Sequence, residues 1–315
     1  MVTQGIDTMS FQFEILFDDM FSKICNDASL APVQRKRLLS LVNGYEDGKW
    51  RSGRFHSFIW DNIAQTALTE RERSNLVDRS HSALVAAARN LRLTDKEDDI
   101  SEGSELAEIV LYGVMKHYYK ALPVVPKIFY KQNTQDNAKG ADSVHIVVTN
   151  DDFSLWFGEA KFYNSIDDTR LGSVITSIRN AIDTGKLKKE NAIITNVNDL
   201  DDLVLNKTLL KSIKAALDSD ESIDKIVGKL HVPILLIHEC GITNSSSSLD
   251  NEYREKVISY HTDRANAYFK KQIAKLSSIA KYPSITFHLI LLPVPNKKAI
   301  VSKFIANVEH YKGQE

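Results

Sequence analysis

Gly140-Ala-Asp142-Ser-Val-His145-Ile-Val-Val-Thr-Asn150-Asp151-Asp152-Phe-Ser-Leu-Trp-Phe-Gly158-Glu159-Ala160-Lys161-Phe-Tyr163 is the stretch whose reading decides the fold. Two runs rich in Val, Ile, Phe and Trp flank a cluster of Asn and Asp, which is the pattern of a β-hairpin. Side chains alternate across a strand, so Glu159 and Lys161 share one face and Ala160 takes the other. Asp142 opens the first strand and Glu159 nearly closes the second. An antiparallel pairing sets those ends side by side, and one sheet edge then carries two carboxylates and an ammonium group. Facing carboxylates repel unless a cation lies between them, and an all-oxygen donor set suits Mg²⁺. A lysine beside such an ion can orient or help deprotonate an attacking water, or stabilise charge growing on a phosphate.

Outward from the hairpin, Ser101–Tyr119 has the spacing of a helix. Leu106, Ile109, Val110, Gly113, Val114 and His117 form one apolar face, and Leu111, Tyr112 and Met115 another, so the helix is expected to be buried on most sides. It carries Glu102, Glu105 and Glu108. Glu108 has Leu111, Tyr112 and Met115 at i+3, i+4 and i+7, the place of an inward carboxylate, whereas Glu105 flanks the first face; the spacing favours Glu108 and leaves both open. Pro123–Tyr130 reads as a strand and Asn133–Lys139 as a loop. Downstream, Leu171–Ile182 reads as a helix ended by Gly185, Ala192–Thr195 as a short strand and Leu205–Leu217 as a helix. Val232–Glu239 reads as a strand, Asp250–Ile279 as a long helix, Ser284–Leu292 as a strand and Asn296–His310 as a closing helix. Strands alternating with helices after residue 123 imply a mixed α/β sheet covered on both faces.

The N-terminal part is more helical in character. Phe11–Cys25 fits a strand leading into a helix, Val33–Val42 reads as a helix behind Pro32, and Phe58–Leu68 and Leu76–Leu91 follow with helical periodicity. The acidic run Asp95–Asp99 marks a boundary. The expected division is a mainly helical region over 1–98 and a catalytic-type domain over 99–315. Arg35–Arg37 and Lys49–Arg54, where Trp50 and Phe55 interleave with basic residues, offer either a nucleic-acid grip or a surface loop with an anchoring Trp.

Composition narrows the functional classes. Hydrophobic residues make up 43% and charged residues 26% of the 315, which is ordinary for a folded globular chain. The formal charge of −1 removes overall basicity as an argument for nucleic-acid binding, so any phosphate-binding surface must be local. Two cysteines give neither a disulfide framework nor a zinc spacing. No apolar run reaches spanning length and Phe11–Phe21 is broken by acidic residues, so a cytoplasmic protein without a membrane segment is expected. His231, His238 and Glu239 lack ligand spacing and read as structural. His145 falls on the face away from Asp142 and reads as a packed ring. Ser173, Thr176, Ser177 and Arg179 either touch phosphate or form a solvated helix face.

A Glu-bearing helix, a strand, Asp142 on a second strand and Glu159-Ala160-Lys161 on a third resemble the PD-(D/E)xK nuclease fold. More narrowly, Gly140-Ala141-Asp142 and Trp156-Phe157-Gly158-Glu159-Ala160-Lys161 behind that helix resemble the HamA family, the effectors of Hachiman antiphage defence. The resemblance spans roughly residues 100–300. It implies a restriction-endonuclease-like core, a mixed central sheet flanked by helices, with an N-terminal helical extension. It also implies Mg²⁺ (Mn²⁺ as a substitute) held by Asp142, Glu159, the Ala160 carbonyl and a helix glutamate, with Lys161 at the attacking water. DNA is the implied substrate, cut with low sequence specificity, and a superfamily-two helicase (HamB-like) the implied partner. RNA cleavage, or a non-catalytic binding subunit on a nuclease fold, are the alternatives.

Overall fold

The computed structural model describes residues 11–93, 103–131, 141–149, 152–196, 199–218 and 220–314. The acidic run at 95–99, Glu102, the loop at 133–139, Gly140 and the turn residues Asn150 and Asp151 lie outside them. Among the described residues nine strands form: β1 (Glu14–Met20), β2 (Lys36–Val42), β3 (Tyr45–Glu46), β4 (Lys49–Trp50), β5 (Leu122–Val125), β6 (Ser143–Thr149), β7 (Asp152–Tyr163), β8 (Leu230–Glu239) and β9 (Thr286–Val294). Seven of them build one sheet in the order β1-β2-β9-β8-β7-β6-β5, and β3 and β4 form a separate two-stranded ribbon. The four central strands β2, β9, β8 and β7 are parallel, while β1 and the β5–β6 pair run antiparallel at the two flanks.

Parallel strands are covered on both faces, so they can be apolar at every position. Ile234 and Leu236 of β8, with Leu289 and Leu291 of β9, enter one core; Leu235, Ile237, Ile290 and Leu292, one residue out of step, enter the other. The first core is roofed by helices Asp168–Ala181, Thr184–Asn196, Lys207–Ala216 and Asn251–Leu276. The second is roofed by Ser52–Ala67, Ser80–Asn90, Ser104–His117 and Lys297–Lys312. The mixed α/β sheet with helices on both faces is the architecture the sequence implied. So is the order helix, three-strand meander (β5, β6, β7), helix, parallel strand (β8).

The N-terminal part enters the fold more deeply than its periodicity suggests. Phe11–Cys25 does give a strand followed by the short helix Phe21–Ile24. Val33–Val42, expected as a helix, is β2, pairing in parallel with β9. Leu38 enters one core and Leu39 and Leu41 the other, and a short run buried on both faces has no period that separates strand from helix. The central sheet is therefore shared by residues on both sides of position 98. Two further expectations are corrected. Ala192–Thr195 is not a strand but the end of helix Thr184–Asn196, in which Gly185 sits in the first turn. Its buried face runs Leu187, Glu190, Asn191, Ile194, and the two polar members mask the period. The strand at Pro123–Tyr130 shortens to β5 and gives way to helix Lys127–Lys131. No helix of the described residues is long and apolar enough to cross a membrane.

The basic clusters are largely consumed by this fold. Arg35 donates to the carbonyls of Gly228 and Ser284, Lys36 is buried under Tyr282 and Phe287, and Arg37 pairs with Asp18 at 2.9 Å. Trp50 packs on Phe55 with centroids 5.3 Å apart, and Arg51 faces Glu46 at 3.6 Å. These contacts fit the anchoring reading of the loop.

Candidate active site at the Asp142–Lys161 edge

The hairpin register builds the site. Ser143 pairs with Gly158, and the Asp142 amide extends the ladder by donating to the Gly158 carbonyl at 2.8 Å. One step further, Asp142 lies beside Glu159. Phe157 and Tyr163, which share the parity of Glu159 and Lys161, belong to the core under helix Asp168–Ala181. Trp156, Ala160 and Phe162 belong to the opposite core. The three polar residues thus occupy the face covered by helix Asp168–Ala181.

Lys161 Nζ is 2.7 Å from Glu159 Oε1 and 3.3 Å from Asp142 Oδ2, so one ammonium bridges both carboxylates. Side-chain exposure falls from 27% at Lys161 through 16% at Asp142 to 9% at Glu159, which orders the site from solvent inward. The Ala160 amide donates to Asp142 Oδ2 at 3.1 Å. A residue's N–H and C=O point to the same side of a strand, so the Ala160 carbonyl is also directed toward Asp142, past the last β6 pair. Ser177, on helix Asp168–Ala181, and the buried phenol of Tyr268 both lie close enough to Glu159 to interact with its charge.

The electrostatics follow from burial. Desolvation, joined by the negative charge of Asp142, holds the Glu159 carboxyl above its ordinary range despite Lys161 and Ser177. For Lys161, burial works against the ammonium, but Asp142 and Glu159 outweigh it and the pKa is raised. Lys161 is therefore a fixed cation at neutral pH. Among the described residues one ammonium faces both carboxylates, an arrangement that a divalent cation would complement.

The helix glutamates separate. Both carboxylate oxygens of Glu105 accept backbone amides, from Arg92 at 2.8 Å and Leu93 at 2.9 Å, which ties the chain after helix Ser80–Asn90 to the first turn of Ser104–His117. Glu108 is 4% exposed, and its charge is felt by Tyr112 one turn on. Its helix packs on the Ala160 face of the sheet. His145 is fully buried against the Tyr112 ring, centroids 4.5 Å apart, on the face away from Asp142 as expected. His231 is engaged with His288 at 2.9 Å and His238 with His261 at 3.1 Å. Ser173 and Thr176 bond back to carbonyls of their own helix, and Ser177 is the hydroxyl of that face nearest Glu159 in its electrostatics.

Gly158 fixes how closely helix Ser104–His117 may approach. A Cβ there would lie 2.3 Å from Ser143 Oγ, 2.8 Å from Leu111 Cδ2 and 3.2 Å from Pro233 Cγ. Gly158→Ala is expected to lower stability by about 1–3 kcal/mol through overpacking. A urea midpoint unchanged from wild type would show that the helix has room to move.

The sequence profile of one family, HamA, matches residues 18–308. The chain belongs to the HamA family. The matched span takes in β2, the helix Ser104–His117 and the whole hairpin, so family membership covers the site and the sheet that carries it. No curated protein matches the chain significantly. Among the described residues no three His, Cys, Asp or Glu side chains gather as a ready metal cluster. Two carboxylates and a directed carbonyl nevertheless suit Mg²⁺, which commonly takes one or two protein carboxylates and keeps several waters. The donor set fits the ion that the resemblance implies.

Proposed function

We propose that this HamA-family chain is a Mg²⁺-dependent endonuclease cutting DNA, the effector of a Hachiman-type antiphage system held in check by a superfamily-two helicase. The observation that carries the reading is the bridging of Asp142 and Glu159 by Lys161 at the solvent-facing end of β6–β7. Asp142, Glu159 and the Ala160 carbonyl would hold the ion; of the helix glutamates, Glu105 is engaged by backbone amides and Glu108 belongs to the helix on the opposite face of the sheet, so it would serve the ion only past the end of β6. A bound Mg²⁺ supplies Lewis-acid polarisation of a phosphate oxygen and a stronger nucleophile from water. Lys161, a cation at neutral pH, orients the attacking water and stabilises charge on the phosphate. Its raised pKa disfavours it as the base that removes the water's proton.

Near-neutral overall charge limits the counterion release that drives duplex binding, so tight DNA engagement is assigned to the helicase. A plasmid assay tests both parts. Supercoiled plasmid should be nicked or cut by the helicase-bound protein with Mg²⁺ or Mn²⁺ and ATP, and left intact with EDTA. Ca²⁺, larger and less polarising, should bind without turnover. Equal rates in EDTA and Mg²⁺ would remove the two carboxylates from the proposed chemistry. Equal rates with and without the helicase would end the restraint model.

A further inference from the structure

Behind the Asp142 edge lies a buried ion pair that the proposed chemistry does not use. Lys127 Nζ is 2.7 Å from Glu190 Oε2, with side-chain exposures of 0% and 5%. The second oxygen, Glu190 Oε1, accepts the backbone amide of Ala141 at 3.0 Å. Ala141 is the residue before Asp142. Lys127 is itself anchored: its amide donates to the Tyr112 hydroxyl at 3.2 Å, and that hydroxyl donates to the Val125 carbonyl at 2.5 Å. Tyr112 from helix Ser104–His117, the end of β5 and helix Thr184–Asn196 thus converge on one amide at the entrance to β6.

We propose that the Lys127–Glu190 pair is the positioning device for Asp142: it fixes the Ala141 amide, and so aims the Asp142 carboxylate at Lys161 and at the cation. The inference rests on the nuclease reading and adds to it two residues that touch neither substrate nor metal. Asp142 needs such a hold. Ser143 is the last described residue in regular strand pairing, and next to it the Asp142 amide carries the backbone tie to β7. A clamp on the preceding amide removes the remaining freedom. A buried ion pair is a poor device for stability, because apolar residues of similar volume hold a fold as well or better. Its use here lies in direction: each carboxylate oxygen has one charge-assisted or backbone partner, so the group cannot rotate without losing both. Groups that orient metal ligands from behind typically change metal affinity roughly 10- to 100-fold when removed.

Two double variants separate aim from stability. K127M/E190Q removes both charges and keeps an amide oxygen for Ala141. K127M/E190L removes the charges and the acceptor, leaving no uncompensated buried charge that would unfold the chain. Mn²⁺ affinity is read by electron paramagnetic resonance, Ala141 and Asp142 amide exchange by NMR, and folding by thermal unfolding. K127M/E190L should remain folded, bind Mn²⁺ at least ~10-fold more weakly and exchange the Ala141 amide far faster. K127M/E190Q, which keeps the acceptor but loses the lysine that fixes its direction, should fall between wild type and K127M/E190L on both readouts. If wild type binds Mn²⁺ and folded K127M/E190L binds it equally well, the positioning role is overturned and the site reading stands. If wild type binds no Mn²⁺ and cuts no plasmid, the nuclease reading falls and takes this role with it.

Discussion

Glu159→Gln protein should fold, resist heat better than wild type in the absence of divalent ions, and lose cleavage by on the order of 10³-fold or more. The sign of the stability change follows from the raised carboxyl. Burial and Asp142 make the native Glu159 hold its proton more tightly than the unfolded chain does. Above the ordinary carboxyl range the unfolded state has released that proton and the native state still binds it. The unfolded state then carries fewer protons, and native stability falls as pH rises through that window. At neutral pH the native protein bears this penalty, and Gln removes it while leaving Lys161 its contact with Asp142. Mg²⁺ should reverse the order, raising the melting temperature of wild type and leaving that of Glu159→Gln nearly unmoved. The pairing of lost activity with gained metal-free stability distinguishes a working carboxylate from a structural one, whose removal would cost both. Lys161→Met probes the same balance from the other side. Two buried-side carboxylates then lose their shared cation, so metal-free stability should drop and cleavage vanish. Folded Glu159→Gln protein that cuts at the wild-type rate would end the assignment.

The site was more legible in sequence than the scaffold around it, and the reason is local. Asp142, Glu159 and Lys161 lie within one hairpin whose register is set by alternation and a polar turn, so short-range rules suffice to bring them together. Glu105 and Glu108 differ only in tertiary contact, because both sit on a helix buried nearly all round, and only the folded chain shows Glu105 taken up by the amides of Arg92 and Leu93. β2 was hidden for the opposite reason. Its residues serve two cores at once, and nothing in Lys36–Val42 announces a parallel partner some 250 residues later in the chain. Lys127 and Glu190 carried no local signal at all. They are 63 positions apart, and Glu190 sits in a stretch whose β-branched Ile193, Ile194 and Thr195 argue for strand. Ser177 had a signal, a hydroxyl on the helix following the motif. What it touches could be learned only from the packing of that helix on β7.

The second large effect is acid sensitivity, and it comes from histidines remote from the proposed chemistry. Burial pushes His56, His231 and His238 down to about 4 and His145 down to about 3. His261 and His288 are held well below the ordinary value, first by burial and then by the ring each one faces. Six of nine histidines are thus kept neutral in the native chain. The geometry explains why. In the chain Ser40, His261, His238, Glu239 carbonyl, each ring can donate at one nitrogen and accept at the other only while uncharged. In the unfolded chain all six titrate near 6.5, so between that pH and about 4 the unfolded state binds more protons and stability falls as pH falls. Three carboxyls oppose this: Asp61, Glu159 and Asp199 are all raised, chiefly by burial, and favour the native state as pH drops. Six groups against three, with the histidine window opening first on acidification, leaves acid destabilisation dominant. Near pH 5 each ring contributes up to ~2 kcal/mol, less for the more accessible His231, a sum comparable to the whole stability of a typical domain. The melting temperature should therefore fall steeply between pH 6.5 and 5, with net uptake of several protons on unfolding. His145 supplies the control, since among the described residues neither ring nitrogen has a hydrogen-bond partner and His145→Leu removes a titrating group without breaking a bond seen there. That variant should flatten the pH dependence by about one proton. A wild-type melting temperature that stays level from pH 7.5 to 5 would mean that these rings are not held neutral by the fold.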